Sequence, residues 1–389
     1  MYPNLYYAFK DLFGVEWTSL RFVNSFGFFV AIAFILAAVV LVAELRRKSK
    51  QGLLHPTEME ITVGKPATTS ELLLNFLLGF LLGYKILALF IMNSAATEDP
   101  QAFIFSTVGN WPAGIILGLL FAGLKWREKN RQKLAKPEKR IVRIWPHDRV
   151  GEITIIALVF GLIGAKLFDI FENWGDFVKR PSDYLFSPSG LTFYGGLIFA
   201  ALAIWWYARK HRIGFWHLND AAAPALMLAY GIGRIGCHVS GDGDWGIPNP
   251  SPKPASWIPD WAWSYTYPHN VNEMGERIPG CVGKYCNELP AGVYPTPFYE
   301  TLMCLFLFAV LWAMRKRLKV PGTLFALYLI LNGLERFTIE KIRVNTKINL
   351  FGFQPTQAEV ISTLMVLTGI ILFVVLRRNA TVRKSTTAV

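Results

Sequence analysis

Runs of about 20 apolar residues recur along the chain, each stopped by lysine and arginine, and this alternation limits the fold more than any other feature. A helix of that length crosses the hydrocarbon of a bilayer while satisfying its own backbone hydrogen bonds. With 53% hydrophobic and 17% charged residues, the chain has the material for several such crossings. It reads as an all-α polytopic membrane protein with about nine transmembrane helices and one small external, periplasmic segment.

The basic residues orient the crossings. A formal net charge of +13 would suit a nucleic-acid partner, but about 26 of the 40 lysines and arginines fall in one alternating set of connections and about 9 in the other. That is the positive-inside pattern of cytoplasmic loops, and it needs no nucleic acid to explain it. The first twenty residues carry Lys10 alone, unlike the charged start of a cleavable signal peptide, so the N-terminus is expected outside and the C-terminus in the cytoplasm. Spans are expected at about 21–43, 71–92, 103–124, 152–171, 191–208 and 220–237. Three more are expected from Phe298 to Arg315, from Gly322 through Glu340, and from Thr356 to Leu376. Residues 1–237 are thus transmembrane helices, 238–297 the external segment, and 298–389 further helices ending in a basic cytoplasmic tail. Within the first part, the hairpin at 71–124 holds Lys85, expected as helix glue or a lipid contact.

The stretch from Gly231 to Gly246, GIGRIGCHVSGDGDWG, closes the sixth run with an arginine inside it. An ionisable group in such a run is costly and usually lines a polar cavity. The plainer alternative is a guanidinium reaching up to the headgroups. Gly231, Gly233 and Gly236 match G-x-G-x-x-G, but here the glycines end a helix instead of joining a strand to one, so no dinucleotide site is expected. Arg234, Arg336, Tyr194 and Glu300 all fall at one depth in this threading. In the eighth run Asn332, Arg336, Glu340 and Arg343 are spaced i, i+4, i+8, i+11, which is one helical stripe. Two arginines at the outer leaflet with acidic partners suit a phosphodiester such as a phospholipid headgroup, whose oxygens a guanidinium meets in pairs. The competing account has Arg336 and Glu340 simply pairing to lock the bundle.

The external segment is rich in tryptophan. Trp245, Trp257, Trp261 and Trp263 suit either the headgroup layer or the segment's own core. Cys281 and Cys286 lie there too, where an oxidising compartment permits a disulfide. A single C-x-x-x-x-C offers too few ligands for a metal site, and neither metal nor cofactor is expected.

Four motifs in order, GLTFYGGLIF at 190–199, GIGRIGCHVSGDGDWG at 231–246, YPTPFYE at 294–300 and LERFTIEKIR at 334–343, resemble those of prolipoprotein diacylglyceryl transferases. The resemblance covers about 150–376 and the first run, where SFGFFVA at 25–31 is similar to the family's opening helix. It implies an enzyme of the bacterial cytoplasmic (inner) membrane, its active site facing the outer leaflet. The reaction it implies moves diacylglycerol from phosphatidylglycerol to the lipobox cysteine thiol of an exported prolipoprotein, releasing glycerol phosphate. Arg234 falls on the arginine of the family's G-R-x-G signature, and Arg336, with Glu340, on its R-F-x-x-E segment. Gly195 and Gly196 match its glycine pair. Gly241, Gly243 and Gly246 would let the loop approach the headgroup, with Asp242 or Asp244 at the acidic position. Glu300, Arg343 and Lys166, the last near Asp169 and Glu172, join the expected lipid-binding set.

Three positions depart from the family pattern, and the spans outnumber its roughly seven by the hairpin. Tyr194 replaces a histidine, Cys237 an asparagine and Phe26 a tyrosine. Tyr194 is then either the base or a residue that orients substrate; a thiol of pKa about 8.5 ionises with modest help. His238 is a second candidate base or a structural histidine, and Cys237 a packing residue or a covalent carrier. Two other classes remain open, a phospholipid flippase and a non-catalytic lipid-binding scaffold. A transporter should show polar groups at midplane or on both sides, whereas here they gather at one face.

Overall fold

The computed structural model describes residues 1–92, 103–104, 106–181, 192–349 and 352–386. Two expectations fall partly outside them: the tip of the 71–124 hairpin, at 93–102, and the loop before Tyr194, at 182–191. Helices dominate: α1 (Leu5–Phe13), α2 (Ser25–Lys50), α3 (Thr69–Ile91), α4 (Trp111–Arg131), α5 (Val150–Glu172), α6 (Trp174–Lys179), α7 (Phe193–Lys210), α8 (Phe215–Ser240), α9 (Thr296–Met314), α10 (Thr323–Glu340) and α11 (Gln357–Thr386). Five stretches of them, in α2, α3, α5, α9 and α11, are long and apolar enough by length and composition to cross a membrane. The protein is a mostly helical membrane protein with a few short strands.

Helix boundaries follow the capping residues more closely than the apolar pattern. Asn24 Oδ1 accepts from Phe26 N (2.8 Å) and starts α2 four residues beyond Arg21. The helix then continues through the basic cluster to Lys50. Thr68 and Glu71 form a reciprocal capping box at α3. Asn110 Oδ1 accepts from Ala113 N (2.9 Å), with Pro112 in the first turn, so α4 begins near 111, well after the expected 103.

The chain forms two compact units: Met1–His55, Pro146–Thr154 and Ala208–Val389; and Pro56–Trp145 with Ile155–Tyr207. In the second, α3 and α4 touch backbone to backbone. A Cβ on Gly83 would stand 2.2 Å from Ala113 O, and one on Gly79 2.5 Å from Leu117 O, the close approach that small residues give to paired membrane helices. Lys85 Nζ donates to Phe103 O (3.0 Å), Ser106 O (2.5 Å) and Val108 O (2.7 Å), tying α3 to the segment that leads into α4. The linkers on either side of the hairpin pair as an antiparallel ribbon, β1 (Thr57–Val63) with β2 (Glu138–Ile144).

The first unit is the bundle of α2, α8, α9, α10 and α11. Its core lies between α8, α9 and α10, on Ala223, Met227, Cys304, Leu311 and Leu324. Residues 241–295 form an irregular cap with one two-residue ribbon, β3 (Glu276–Arg277) with β4 (Asn287–Glu288). Trp245 is buried there with Tyr267 and Val293, as expected of a core residue, whereas Trp257 is exposed. Cys281 and Cys286 are disulfide-bonded.

Candidate functional site

The capped ends of α8, α9 and α10 bring charge together. Arg234 lies two turns before the end of α8, Glu300 in the first turns of α9, and Arg336 and Glu340 one turn apart in the last part of α10. Glu300 is fully buried and takes three guanidinium groups: Arg234 Nε at 2.8 Å on Oε2, with Arg336 Nη1 at 3.0 Å and Arg343 Nη1 at 3.3 Å on Oε1. Arg336 Nη2 also meets Glu340 Oε2 at 3.0 Å. One carboxylate in a dry bundle cannot offset its own desolvation without such partners.

The loop after α8 supplies the third acid. Gly241 ends the helix at φ 64°, where an L side chain is strained, and its N–H returns to Cys237 O (3.0 Å). Asp242 Oδ1 accepts from Asp244 N (3.3 Å), while Asn272 Nδ2 donates to Asp242 O (2.6 Å). Asp244 is then held out to bridge Arg234 Nη1 and Arg343 Nη2, the latter at 2.5 Å. Between the two aspartates left open by the sequence, Asp244 is the one in the arginine cluster. Burial, with Asp244 beside it, pushes the Asp242 carboxyl above the ordinary range. Burial acts in the same direction on Asp244, but Arg234 and Arg343 outweigh it and hold that carboxyl below its usual value.

Arg343 reaches the site by a different route from the expected one. The α10 helix ends at Glu340, so the stripe of spacing 332, 336, 340 stops there. Arg343 instead pairs with Gly246 in an isolated antiparallel bridge, and Ile247 N donates to Ile342 O (2.9 Å). Gly246 permits this, since a Cβ there would lie 2.4 Å from Ile342 O. Arg343 is the least exposed of the three arginines, at 9%, against 16% for Arg234 and 23% for Arg336. It ties the loop to the helix ends, and the other two keep more access.

Several contributors carried little sequence signal. Tyr230, one turn before Arg234, donates to Glu300 Oε1 (3.3 Å), and its ring lies 5.1 Å from the Arg234 guanidinium carbon. The i−4 spacing from Arg234 could have pointed to it. Thr296 Oγ1 donates to Asp244 O (2.6 Å) and Asn345 Nδ2 to Glu340 Oε1 (2.6 Å); neither has a periodicity to betray it. Cys237 Sγ and the carboxylates of Asp242 and Asp244 lie within 4.8 Å of one another. Of the three, Asp244 is the one paired with Arg234 and Arg343, and Arg234 Nη1 also lies 3.8 Å from Cys237 Sγ. His238 sits among Trp261, Tyr265, Tyr267 and Phe298 with Nδ1 3.2 Å from Tyr267 Oη, a place in the cap's aromatic core.

Tyr194, Gly195, Gly196 and Lys166 lie in the other unit. Tyr194 is in the first turn of α7. Gly195 and Gly196 let α7 meet α5: Cβ atoms there would stand 2.5 Å from Gly164 O and 2.8 Å from Gly161 O. Lys166 pairs with Asp169 at 3.5 Å on α5.

Comparison with known proteins agrees with the motifs. Residues 110–375 match the family model for prolipoprotein diacylglyceryl transferase. Among similar proteins is the phosphatidylglycerol–prolipoprotein diacylglyceryl transferase of Dehalococcoides mccartyi strain CBDB1, 29% identical over 288 residues, covering 71% of this chain and 93% of that protein. Enzymes of the same name from Leptospira interrogans (31% over 220 residues; 50% of this chain, 61% of the relative) and Stenotrophomonas maltophilia (27% over 240 residues; 59% and 76%) are also similar.

Proposed function

The chain belongs to the prolipoprotein diacylglyceryl transferase family, and from that membership we propose that it transfers diacylglycerol from phosphatidylglycerol to the lipobox cysteine thiol of exported prolipoproteins. The convergence of Arg234, Arg336 and Arg343 on buried Glu300 carries the assignment to this site. The thiol gives its proton to water, and its sulfur attacks the carbon of the diacylglyceryl group that is bonded to the phosphate oxygen. The carbon–oxygen bond breaks, and the electron pair leaves on the phosphate oxygen as glycerol phosphate. Fixed guanidinium groups aimed at that oxygen lower the barrier, because they are already oriented when the charge develops. Arg234 and Arg336 take this role. Glu300, Glu340 and Asp244 hold them in place, Asp242 shapes the loop with Gly241 and Gly246, and Arg343 fastens it. Tyr194 orients substrate, with Gly195, Gly196 and Lys166 contributing to lipid binding.

The same reading sets the topology. Nine crossings put the N-terminus outside, the C-terminus in the cytoplasm, and residues 238–297 outside with the site toward the outer leaflet. The lopsided placement of lysine and arginine supports it. Single cysteines at exposed Asn130 and Ser256 in a cysteine-free protein should label from the cytoplasmic side only and from outside only, respectively; the reverse would overturn the orientation. Purified protein with phosphatidylglycerol and a lipobox peptide should yield the thioether-linked diacylglyceryl peptide. Lipid movement without product would instead mark a flippase, and binding alone a scaffold.

A further inference from the structure

Asp244 reaches Arg234 and Arg343 only because the residues just before it hold one shape. Between Ser240, the last residue of α8, and Asp244 the chain reads Gly-Asp-Gly, with Gly241 and Gly243 at φ 64° and 97°, values strained for any other residue. Asp242, between the glycines, turns Asp244 inward by accepting from its N–H. The carbonyl of Asp242 is held in turn from outside the loop, by the side-chain amide of Asn272 in the cap (2.6 Å).

The segment that carries Asn272 is shaped for this reach. Tyr267, His269 and Glu273 take φ of 48°, 61° and 52°, strained values that the surroundings must enforce. Fully buried Asn270 supplies the enforcement: its Nδ2 lies 3.2 Å from Tyr267 O, 3.0 Å from Met274 O and 3.2 Å from Asn287 O, and its Oδ1 accepts from Met274 N at 2.8 Å. Glu273 N closes the turn on Asn270 O (3.2 Å), and Val271 N donates to Ser240 O (3.0 Å). Both loop glycines face this segment. A Cβ on Gly241 would stand 2.9 Å from Asn270 Cβ, and one on Gly243 would stand 2.9 Å from Asn272 Nδ2. Asn272 itself is exposed, so its substitution leaves the packing of the cap in place.

We propose that Asn272 is a positioning residue: by holding the Asp242 carbonyl it fixes the turn that aims Asp244 at Arg234 and Arg343, and through Asp244 it fixes the Arg234 guanidinium. Release of that carbonyl frees the Asp242 peptide to turn, and the carboxylate shared by the two arginines loses its aim. The effect on turnover rests on the proposed reaction, in which Arg234 meets the leaving phosphate oxygen; the coupling of Asn272 to Asp244 rests on the loop alone.

The test compares full-length Asn272→Ala and Asn272→Asp with wild type, using phosphatidylglycerol and a lipobox peptide. Asn272→Asp keeps the size of the side chain but turns an acceptor toward the Asp242 carbonyl, which separates donor from shape. Both variants should lose about tenfold in kcat/KM, the scale of one hydrogen bond, and mainly in kcat, since Arg234 acts on charge that develops in the transition state. Near-normal turnover in either would overturn the proposal. In protein already carrying Asp244→Asn, Asn272→Ala should cost less than about twofold, because residues that act through one another are not additive. A full second tenfold loss would show an effect that bypasses Asp244 and would refute the positioning role. Thermal unfolding in detergent gives a readout that needs no turnover. The fall in Tm caused by Asp244→Asn should be smaller in Asn272→Ala than in wild type, and equal falls would refute the inference. Failure of wild-type transfer with that coupling present would instead count against the proposed reaction.

Discussion

The bundle holds two ion-pair clusters, one toward each end of α8, and they use similar residues to different ends. Asp220 and Arg234 are both on α8, roughly 21 Å apart along the axis at 1.5 Å per residue. At the far cluster, Asp220 Oδ2 accepts from Gly322 N (2.9 Å) and Oδ1 from Phe325 N (3.0 Å), so it caps the start of α10 from a neighbouring helix. Lys48 of α2 pairs with it at 3.5 Å. Glu44 takes Arg47 (Nε, 2.9 Å) and Arg315 (Nε, 3.2 Å), and the Arg315 guanidinium lies 3.4 Å over the Trp312 ring. Asp220, Glu44 and Lys48 are buried; Asp220 gives both carboxylate oxygens to the start of α10, while Glu44 pairs with arginine side chains. Near the 241–295 cap, by contrast, no helix start depends on the acids, and Arg336 and Asp244 keep 23% and 33% of their side-chain surface. Charge that fastens backbone is stabilising; charge fastened only to other side chains, with surface left over, is free to meet a ligand.

That contrast can be broken most directly at the arginines. Arg234→Ala or Arg336→Ala should lower kcat/KM for transfer about 10³-fold or more while the protein still folds and inserts, since the loss is of transition-state stabilisation. Arg336→Lys should recover little of it, because an ammonium lacks the planar fork. Near-normal turnover in either alanine variant would put the two clusters in one class.

The converse experiment is Asp220→Ala, which strips two amides and a buried lysine of their acceptor at once. It should cost about 3–5 kcal/mol of stability, read by thermal or denaturant unfolding in detergent, with activity per folded molecule retained. Asp244→Asn should fall between these, costing about 1–3 kcal/mol at neutral pH. Its carboxyl is held below the usual value, so this stabilisation is complete above the unfolded carboxylate range and is lost as pH falls through the folded value. The gap between wild type and Asp244→Asn should therefore close below about pH 4, and a gap that persists into acid would show that shape, not charge, is what Asp244 supplies. The smallest effect is expected at Tyr194, in the first turn of α7. Tyr194→Phe should raise KM for phosphatidylglycerol about tenfold, the scale of one hydrogen bond, and leave the pH profile alone. Loss of a basic-limb ionisation together with about 10²-fold of turnover would make Tyr194 the base instead.

Several of these features were plain in the sequence. Apolar runs and basic stops gave the helices, because membrane burial and charge placement act on every residue locally. Arg234, Arg336, Glu300 and Glu340 stood out for the same reason, each being an ionised side chain in a run that should have none. Tertiary structure alone decided which groups meet. Arg343 was assigned to a helical stripe, yet it arrives through a bridge to Gly246, a pairing between residues 97 positions apart that no periodicity encodes. Asp242 and Asp244 are interchangeable as letters; only the turn closed by Asp242 Oδ1 aims the second at the guanidinium groups. Residue 220 only opens an expected span in the sequence, but the backbone that Asp220 caps belongs to another helix. The sequence by itself determined where charge could not be tolerated unpaired, since desolvation is a property of each segment. Only the folded bundle decided the partners, because pairing depends on distances that packing sets.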